Sequence, residues 1–363
     1  MQHRRVQLAL LSFLCLIAIY IFFKSSSLAF DQSFEPTELQ PANETLGFGA
    51  ILVVSRAGSP RRESLIRAAN LTELEMRIPP QPVWSSEDIT ALQAGESSTL
   101  DRGSALAWLG HLNALRWLLN SGIETALILE DDVDWDIHIR KTQIPRVGHA
   151  IRQMTSSKNS FYGNLQSWDI LYAGHCGDFF EAERAKTLTM QTFPDESVPP
   201  MRKLHPFTQR FLSALNLGEK TRMVHHSVSP LCSFGYAVTR QSAQRLLNDL
   251  AGREPQKGCP AYDVRLLEAC RDEGMRCWSV NPELFHHTEA PSEIAIQNKA
   301  NENDPSQSSE LNLKLESPNI ECGARTFRWT EGRSFEYLRD IVGRQGRCLK
   351  DRMEEDMTER LED

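Results

Sequence analysis

The chain has 363 residues, with 40 basic and 48 acidic side chains and a formal net charge of −8 at pH 7. Hydrophobic residues make up 40% and charged residues 24%, a globular mixture that excludes a wholly disordered chain or a collagen-like fibre. The acidic balance, with no long Lys/Arg block, also argues against a nucleic-acid partner, which needs a basic face.

Val6 to Phe23 is an apolar run without a charge, preceded by His3, Arg4 and Arg5 and followed by Lys24. Eighteen helical residues rise about 27 Å, close to the roughly 30 Å of a bilayer's hydrocarbon core. The run reads as a transmembrane anchor (6–23) behind a cytoplasmic tail (1–5). The arginines on its N-terminal side orient the remainder toward the lumen. A cleaved signal peptide, with Ser27-Leu28-Ala29 near the cut, is the rival; its apolar core is typically shorter. Either reading sends the chain into the secretory pathway, and the anchor reading makes it a type II protein of the Golgi or ER membrane. Residues 24–46, with Pro36 and Pro41 and no apolar period, read as a stem.

The domain that follows, residues 47–349, opens with a buried strand at Phe48–Val54. Ser59-Pro60 starts a helix running to about Leu74, and residues 79–103 read as mostly loop. Trp108, Leu112, Leu115 and Leu119 mark one face of a helix that Gly122 ends. Strands are predicted at Thr125–Leu129, Trp168–Ala173, Ser233–Thr239 and Arg276–Asn281, with helices at Ser242–Ala251 and Ala261–Asp272. This alternation implies an α/β fold with a largely parallel sheet. Residues 297–319 read as a mobile loop and 350–363 as an acidic tail.

Seven cysteines follow the apolar run, without a CxxC, so a zinc knuckle is disfavoured and an odd thiol is expected. Cys322 and Cys348 bracket the C-terminal segment and are the favoured pair; Cys270 reads equally as a small buried hydrophobe. Asn43-Glu44-Thr45 and Asn70-Leu71-Thr72 are glycosylation tripeptides. The last residues, Arg360-Leu361-Glu362-Asp363, are not KDEL-like, which favours an anchor over soluble retention.

The chemistry concentrates at Leu127-Ile128-Leu129-Glu130-Asp131-Asp132-Val133-Asp134-Trp135-Asp136, where a buried strand delivers five carboxylates at its C-terminal end. That is the end where α/β sheets bind ligands. Crowded carboxylates repel, and a hard cation such as Mn²⁺ or Mg²⁺ relieves them while leaving positions open for a diphosphate. Side chains alternate along a strand, so Glu130 and Asp132 share a side. Asp134 and Asp136 read as solvated. An EF-hand from Asp132 fails, because Ile137 and Gln143 stand where Gly and Glu are required. A haloacid-dehalogenase-like phosphohydrolase using Asp132 and Asp134, with Gly177-Asp178 as a later acidic motif, stays open. So does a catalytically silent, membrane-tethered carbohydrate-binding protein. No glycine-rich nucleotide fingerprint accompanies the strands.

The order of motifs resembles glycosyltransferase family 25, the lipopolysaccharide and procollagen galactosyltransferases, and most of all its short fungal-type members. The matching pieces are Val53-Val54-Ser55-Arg56 through Arg61-Arg62, and Gly103 with Gly110-His111, where the family usually has Ser-His. Then come Leu129-Glu130-Asp131-Asp132, Trp168-Asp169-Ile170-Leu171-Tyr172, Phe234-Gly235-Tyr236-Ala237-Val238 and Asp263. Together they span residues 48–290. The resemblance implies a GT-A-like nucleotide-sugar-binding fold and inverting transfer of a sugar, galactose by analogy, from a UDP-sugar to a glycan or glycoconjugate acceptor. It assigns Arg56, Arg61, Arg62, His111, Glu130 and Asp131 to the donor and Asp132, with Glu130, to a Mn²⁺ or Mg²⁺ ion. Asp263 becomes the candidate base. One of His286 and His287 completes the metal shell, with His287 preferred. Asp169 reads as structural, and Cys176 has no nucleophilic role in an inverting transfer.

Overall fold

The computed structural model describes residues 39–178, 184, 187–288, 294, 319–325 and 332–349. The apolar run 6–23, the acidic tail and nearly all of the segment 297–319 lie outside the described residues. Among the described residues no helix is long and apolar enough to cross a membrane.

In chain order the first half contains β1 (Ala50–Val54), α1 (Arg62–Leu71), β2 (Met76–Arg77), α2 (Ser86–Leu92), α3 (Arg102–Ser121), β3 (Thr125–Glu130), β4 (Val133–Trp135), α4 (Ile144–Met154) and β5 (Ile170–Gly174). The second half adds β6 (Gly177–Asp178), β7 (Met190–Pro194), α5 (Pro206–Ala214), β8 (Thr221–His226), β9 (Pro230–Leu231), β10 (Gly235–Thr239), α6 (Arg240–Arg245), α7 (Tyr262–Arg271), β11 (Cys277–Asn281), β12 (Phe285–His287) and α8 (Phe335–Leu338).

Eight strands form one twisted sheet in the order β2-β1-β3-β10-β5-β11-β8-β7. Its centre is apolar because β1, β3, β5 and β10 are covered on both faces; Ile51, Leu52, Leu127 and Ile128 are fully buried. The expected α/β class holds, but the sheet is mixed. β10 runs antiparallel between β3 and β5, and β8 runs antiparallel to β11, so six of the eight strands share a direction.

Helix α3 is the hub. Asp101 caps it by accepting the Ser104 amide at 2.7 Å, and Gly122 ends it at φ +76°. Trp108 is buried beneath it and donates its indole N–H to the Ala251 carbonyl at 2.8 Å. Segment 79–103 is not all loop: Ser85 and Asp88 form a reciprocal capping box that starts α2. Strands β7 and β8 lack an apolar signature because β8 buries Arg222, which pairs with Asp195 at 2.6 Å, and His225, which meets Asn281 at 2.9 Å.

The end of the expected stem belongs to the domain. Ala42 and Leu46 are buried, the Ala42 amide donates to Arg140 O at 2.9 Å, and Tyr162 Oη donates to Leu46 O at 2.6 Å. Among the described residues there are three disulfides, Cys176–Cys232, Cys270–Cys277 and Cys322–Cys348, with Cys259 free and buried. Cys322–Cys348 is the expected pair, whereas Cys270 is bonded rather than a buried hydrophobe.

Candidate active site

β1 and β3 are parallel neighbours with Val54 opposite Glu130, so the turn after β1 and the acid turn after β3 emerge side by side. Two clefts, each of about 390 Å³, open there. The first is lined by apolar Val54, Trp84, Leu106 and Ala107 and by polar and charged Ser55, Arg56, Arg61, Glu130, Asp131 and Asp132. The second holds Asp263, His287, Tyr262, Ser233 and the Cys176–Cys232 disulfide. Ala107, His111, Glu130, Asp132 and Ile294 line both, so the clefts meet around His111, Glu130 and Asp132 and two apolar side chains.

Each carboxylate has a different environment. Asp131 is buried; it accepts Ser55 Oγ at 2.5 Å and Arg61 Nη1 at 3.4 Å. Asp132 has Oδ2 at 3.3 Å from Arg61 Nη1, while its Oδ1 is buried without a hydrogen-bond partner. Burial, then Glu130 and Asp131, push its carboxyl up to about 7, against the opposing pull of Arg61 and Arg325. Glu130 accepts Ser233 Oγ at 2.9 Å and faces His111 Nε2 at 3.5 Å. Burial alone would raise Glu130, but the His111 contact and the Ser233 hydroxyl outweigh it and hold the carboxyl below its ordinary value.

Asp134 and Asp136 are not solvated. Both are almost wholly buried. Asp134 accepts the amides of Trp135 and Arg325, each at 2.8 Å, and burial pushes its carboxyl up to about 6. Asp136 accepts the amides of His138 and Cys322 at 2.9 and 3.0 Å. Neither lines either of these two clefts. Asp178 likewise caps the amides of Val228 and Ser229. A phosphohydrolase pairing Asp132 with Asp134 therefore lacks its second carboxylate in the cleft.

His111, which lies beside the apolar face of α3, is 2% exposed. Its ring stacks on Tyr262 at 4.7 Å, and its Nδ1 meets Tyr236 Oη at 3.2 Å. Arg56 and Arg61 line the first cleft, whereas Arg62 turns back to donate to Ser55 Oγ and Ser55 O. Arg62 thus braces the turn that orients Ser55 toward Asp131. Asp263 sits in the first turn of α7, and its carboxyl is raised chiefly by burial, with the Val264 and Cys232 amides opposing. His287 pairs in register with Val133, and the next amide, Thr288 N, donates to Asp132 O at 2.7 Å. His286 points elsewhere, to Glu283 Oε1 at 2.5 Å. Asp169 pairs with Arg276 at 2.7 Å, a structural role.

Two participants escaped the sequence reading. Arg325 donates to the carbonyls of Asp131 at 2.8 Å and Val133 at 2.7 Å, and to Arg61 O and Ser64 Oγ, clamping the acid turn to α1. It lies 194 positions from Asp131 in the chain, so no local pattern marks it. Gln81 lines the first cleft, and both its amide atoms are buried without a partner.

Among the described residues no three His, Cys, Asp or Glu side chains form a cation cage. The unpartnered, buried Asp132 oxygen still suits a cation that takes one or two protein ligands and completes its shell from a bound anion.

No protein-family model and no curated protein sequence matches the chain. Among solved structures, a CMP:2-keto-3-deoxy-manno-octonic acid synthetase complexed with CTP matches at 13% identity and a TM-score of 0.27. That likeness covers 69% of this chain and 95% of that one. It is too slight to carry a functional argument.

Proposed function

We propose that this protein is an inverting, metal-assisted glycosyltransferase with a GT-A-type fold, akin to glycosyltransferase family 25. It moves a sugar, galactose by analogy, from a UDP-sugar to a glycan or glycoconjugate acceptor. The observation that carries the reading is the meeting of two clefts at Glu130, Asp132 and His111. A transferase needs two substrates whose reacting atoms meet, and a hydrolase of a single small ester does not.

In this reading the first cleft takes the donor. Its apolar side chains, Trp84 among them, receive the base, and Arg56 and Arg61 face the diphosphate. Asp132 holds the cation, with His287 beside it; when bound, the cation offsets the charge that develops on the leaving diphosphate. Asp263, in the second cleft, takes the acceptor hydroxyl's proton as the oxygen attacks the anomeric carbon from the face opposite the leaving group. Its burial raises its affinity for that proton toward the working pH. The three disulfides and the exposed Asn43 and Asn70 of the two glycosylation tripeptides support a lumenal setting, with residues 6–23 as the anchor.

The test is a panel of nucleotide sugars given to the full chain with and without Mn²⁺, reading nucleotide release. A UDP-sugar is expected to be turned over only with the cation, and Asp132→Ala is expected to abolish both turnover and cation-dependent UDP binding. Equal, metal-independent UDP binding by wild type and Asp132→Ala would sink the assignment. Silence toward every donor would leave the carbohydrate-binding alternative.

A further inference from the structure

Three buried side chains on three separate elements form one chain of contacts behind the junction of the clefts. Tyr236 on β10 donates its hydroxyl to Tyr262 Oη, at the start of α7, at 3.1 Å. On its other side, Tyr236 Oη lies 3.2 Å from Nδ1 of His111 on α3. The His111 ring stacks on Tyr262, with centroids 4.7 Å apart and planes 11° from parallel. All three are almost wholly buried. A phenol carries a single proton, and Tyr236 gives it to Tyr262, so toward His111 it can only accept. Nδ1 is therefore a nitrogen that carries a proton. The far nitrogen, Nε2, faces Glu130 Oε1 at 3.5 Å. That distance is too long for a firm hydrogen bond, so Nε2 is the nitrogen left to take a further partner.

We infer that Tyr236 and Tyr262 are positioning residues for His111: they keep its Nδ1 proton inside the core and present Nε2, beside Glu130, to the point where the clefts meet. His111 and Glu130 line both clefts, Tyr262 lines the second and Tyr236 lines neither, so Tyr236 acts through its neighbours. The group suited to this point is a sugar hydroxyl. It brings a hydrogen to the carboxylate and still accepts, whereas an ionised phosphate oxygen brings none. That the hydroxyl belongs to the transferred sugar rests on the transferase reading; the orientation of His111 stands without it.

The test is ring-nitrogen NMR of the full chain labelled with ¹⁵N-histidine, in a chelator, with the His111 signals assigned by their absence from His111→Gln. Wild type is expected to show a proton on Nδ1. In Tyr236→Phe that proton has lost its acceptor and should move to Nε2, toward Glu130. In Tyr262→Phe the Tyr236 hydroxyl has lost its own acceptor and should turn to donate to Nδ1, which moves the ring proton the same way. Tyr172→Phe is the control. Tyr172 packs on Tyr236 with ring centroids 6.4 Å apart, but its hydroxyl meets Cys270 Sγ at 3.8 Å, outside the chain. Removing that hydroxyl should leave Nδ1 protonated.

If a phenylalanine variant does not fold, the wild-type spectrum alone decides, since an Nδ1 without a proton overturns the inference. So does a ring that is the same in wild type, Tyr236→Phe and Tyr262→Phe, or one that changes equally in Tyr172→Phe. On the transferase reading, the preference for a UDP-sugar over UDP in binding should fall about tenfold in Tyr236→Phe, the loss of one good hydrogen bond, and persist in Tyr172→Phe. A proton that moves without that fall overturns the sugar-facing role. Failure of wild type to bind any nucleotide sugar counts instead against the transferase reading and leaves the ring-nitrogen result intact.

Discussion

Arg61 Nη1 stands 3.3 Å from Asp132 Oδ2, and the opposite oxygen of the same carboxylate is buried with nothing to accept from. One guanidinium thus half-compensates an anion whose proton affinity burial has raised from 3.8 to about 7. Between those values the folded chain holds a proton that the unfolded chain has released. Stability should therefore fall as pH rises through this window, by about 2–4 kcal/mol in total. Asp134, raised to about 6, adds a slope of the same sign around that value, and His138, raised above 6.5, adds another from there upward, so Asp132 is read as the difference between wild type and Asp132→Asn. Denaturant midpoints in a chelator should show a steeper decline in wild type than in Asp132→Asn. Mn²⁺ should restore stability to wild type alone. A slope unchanged in Asp132→Asn would place the proton elsewhere.

Gln81 should trade stability for binding. Its buried amide has neither donor nor acceptor satisfied while it lines the cleft beside Trp84. An unmet buried amide costs roughly 1–3 kcal/mol, and an apolar side chain of similar shape removes that cost. Gln81→Leu should accordingly raise the melting temperature of the ligand-free protein. The same change removes a side chain that can offer a base edge both a donor and an acceptor. On the transferase reading, UDP affinity should drop about tenfold, the loss of a single good hydrogen bond in a desolvated pocket. Calorimetric titration beside a melting curve reads both effects, and a variant that loses stability as well as affinity would argue for a purely structural glutamine.

Asp136 and His138 form the hinge pin of the C-terminal segment. His138 Nδ1 meets Asp136 Oδ1 at 2.8 Å and its Nε2 meets Gly346 O at 2.9 Å. Both partners are acceptors, so only the doubly protonated ring satisfies them together. Asp136, the main cause, raises the imidazole above its ordinary 6.5, and burial opposes it. The clamp contributes fully below that ordinary value and fades as pH rises through the raised one. Hydrogen exchange over residues 332–349 should quicken across that upper range in wild type and be fast throughout in His138→Ala. Asp136→Ala should cost about 2–4 kcal/mol, because it strands the buried amides of His138 and Cys322 together.

What could be read in the sequence was whatever lay within a few residues of its own cause. β3, the stripe of α3 and its Gly122 terminator are local patterns, and they stand as expected. The sheet's mixed character was not local. β10 has the same apolar run whichever way it points, and its direction is fixed by the long excursion through β6–β9. The acid turn was misread in part for the same reason. Alternation along a strand ends where β3 ends, and Asp134 and Asp136 then find backbone amides from the segment containing Cys322 and Arg325. That segment is brought to the turn through a disulfide between Cys322 and Cys348, and no spacing rule connects it to residue 131.

Arg325 is the strongest expression of that long-range dependence. Its Nη1 serves two carbonyls of the acid turn, and its Nη2 serves Arg61 O and Ser64 Oγ on α1. Four acceptors are met by one planar fork, which an ammonium on a flexible stem does not reproduce. Arg325 also draws Asp132 down, so losing its charge pushes that carboxyl further up. The pair Arg325→Lys and Arg325→Met separates geometry from charge. Methionine should cost about 3–5 kcal/mol, since it removes the counter-charge of a crowded acidic turn and strands four acceptors. If charge alone mattered, lysine would restore both stability and cation-dependent UDP binding. The fork geometry predicts otherwise. Lysine should recover the pH slope assigned to Asp132 yet leave UDP affinity several-fold weaker, because the turn is neutralised but no longer held against α1.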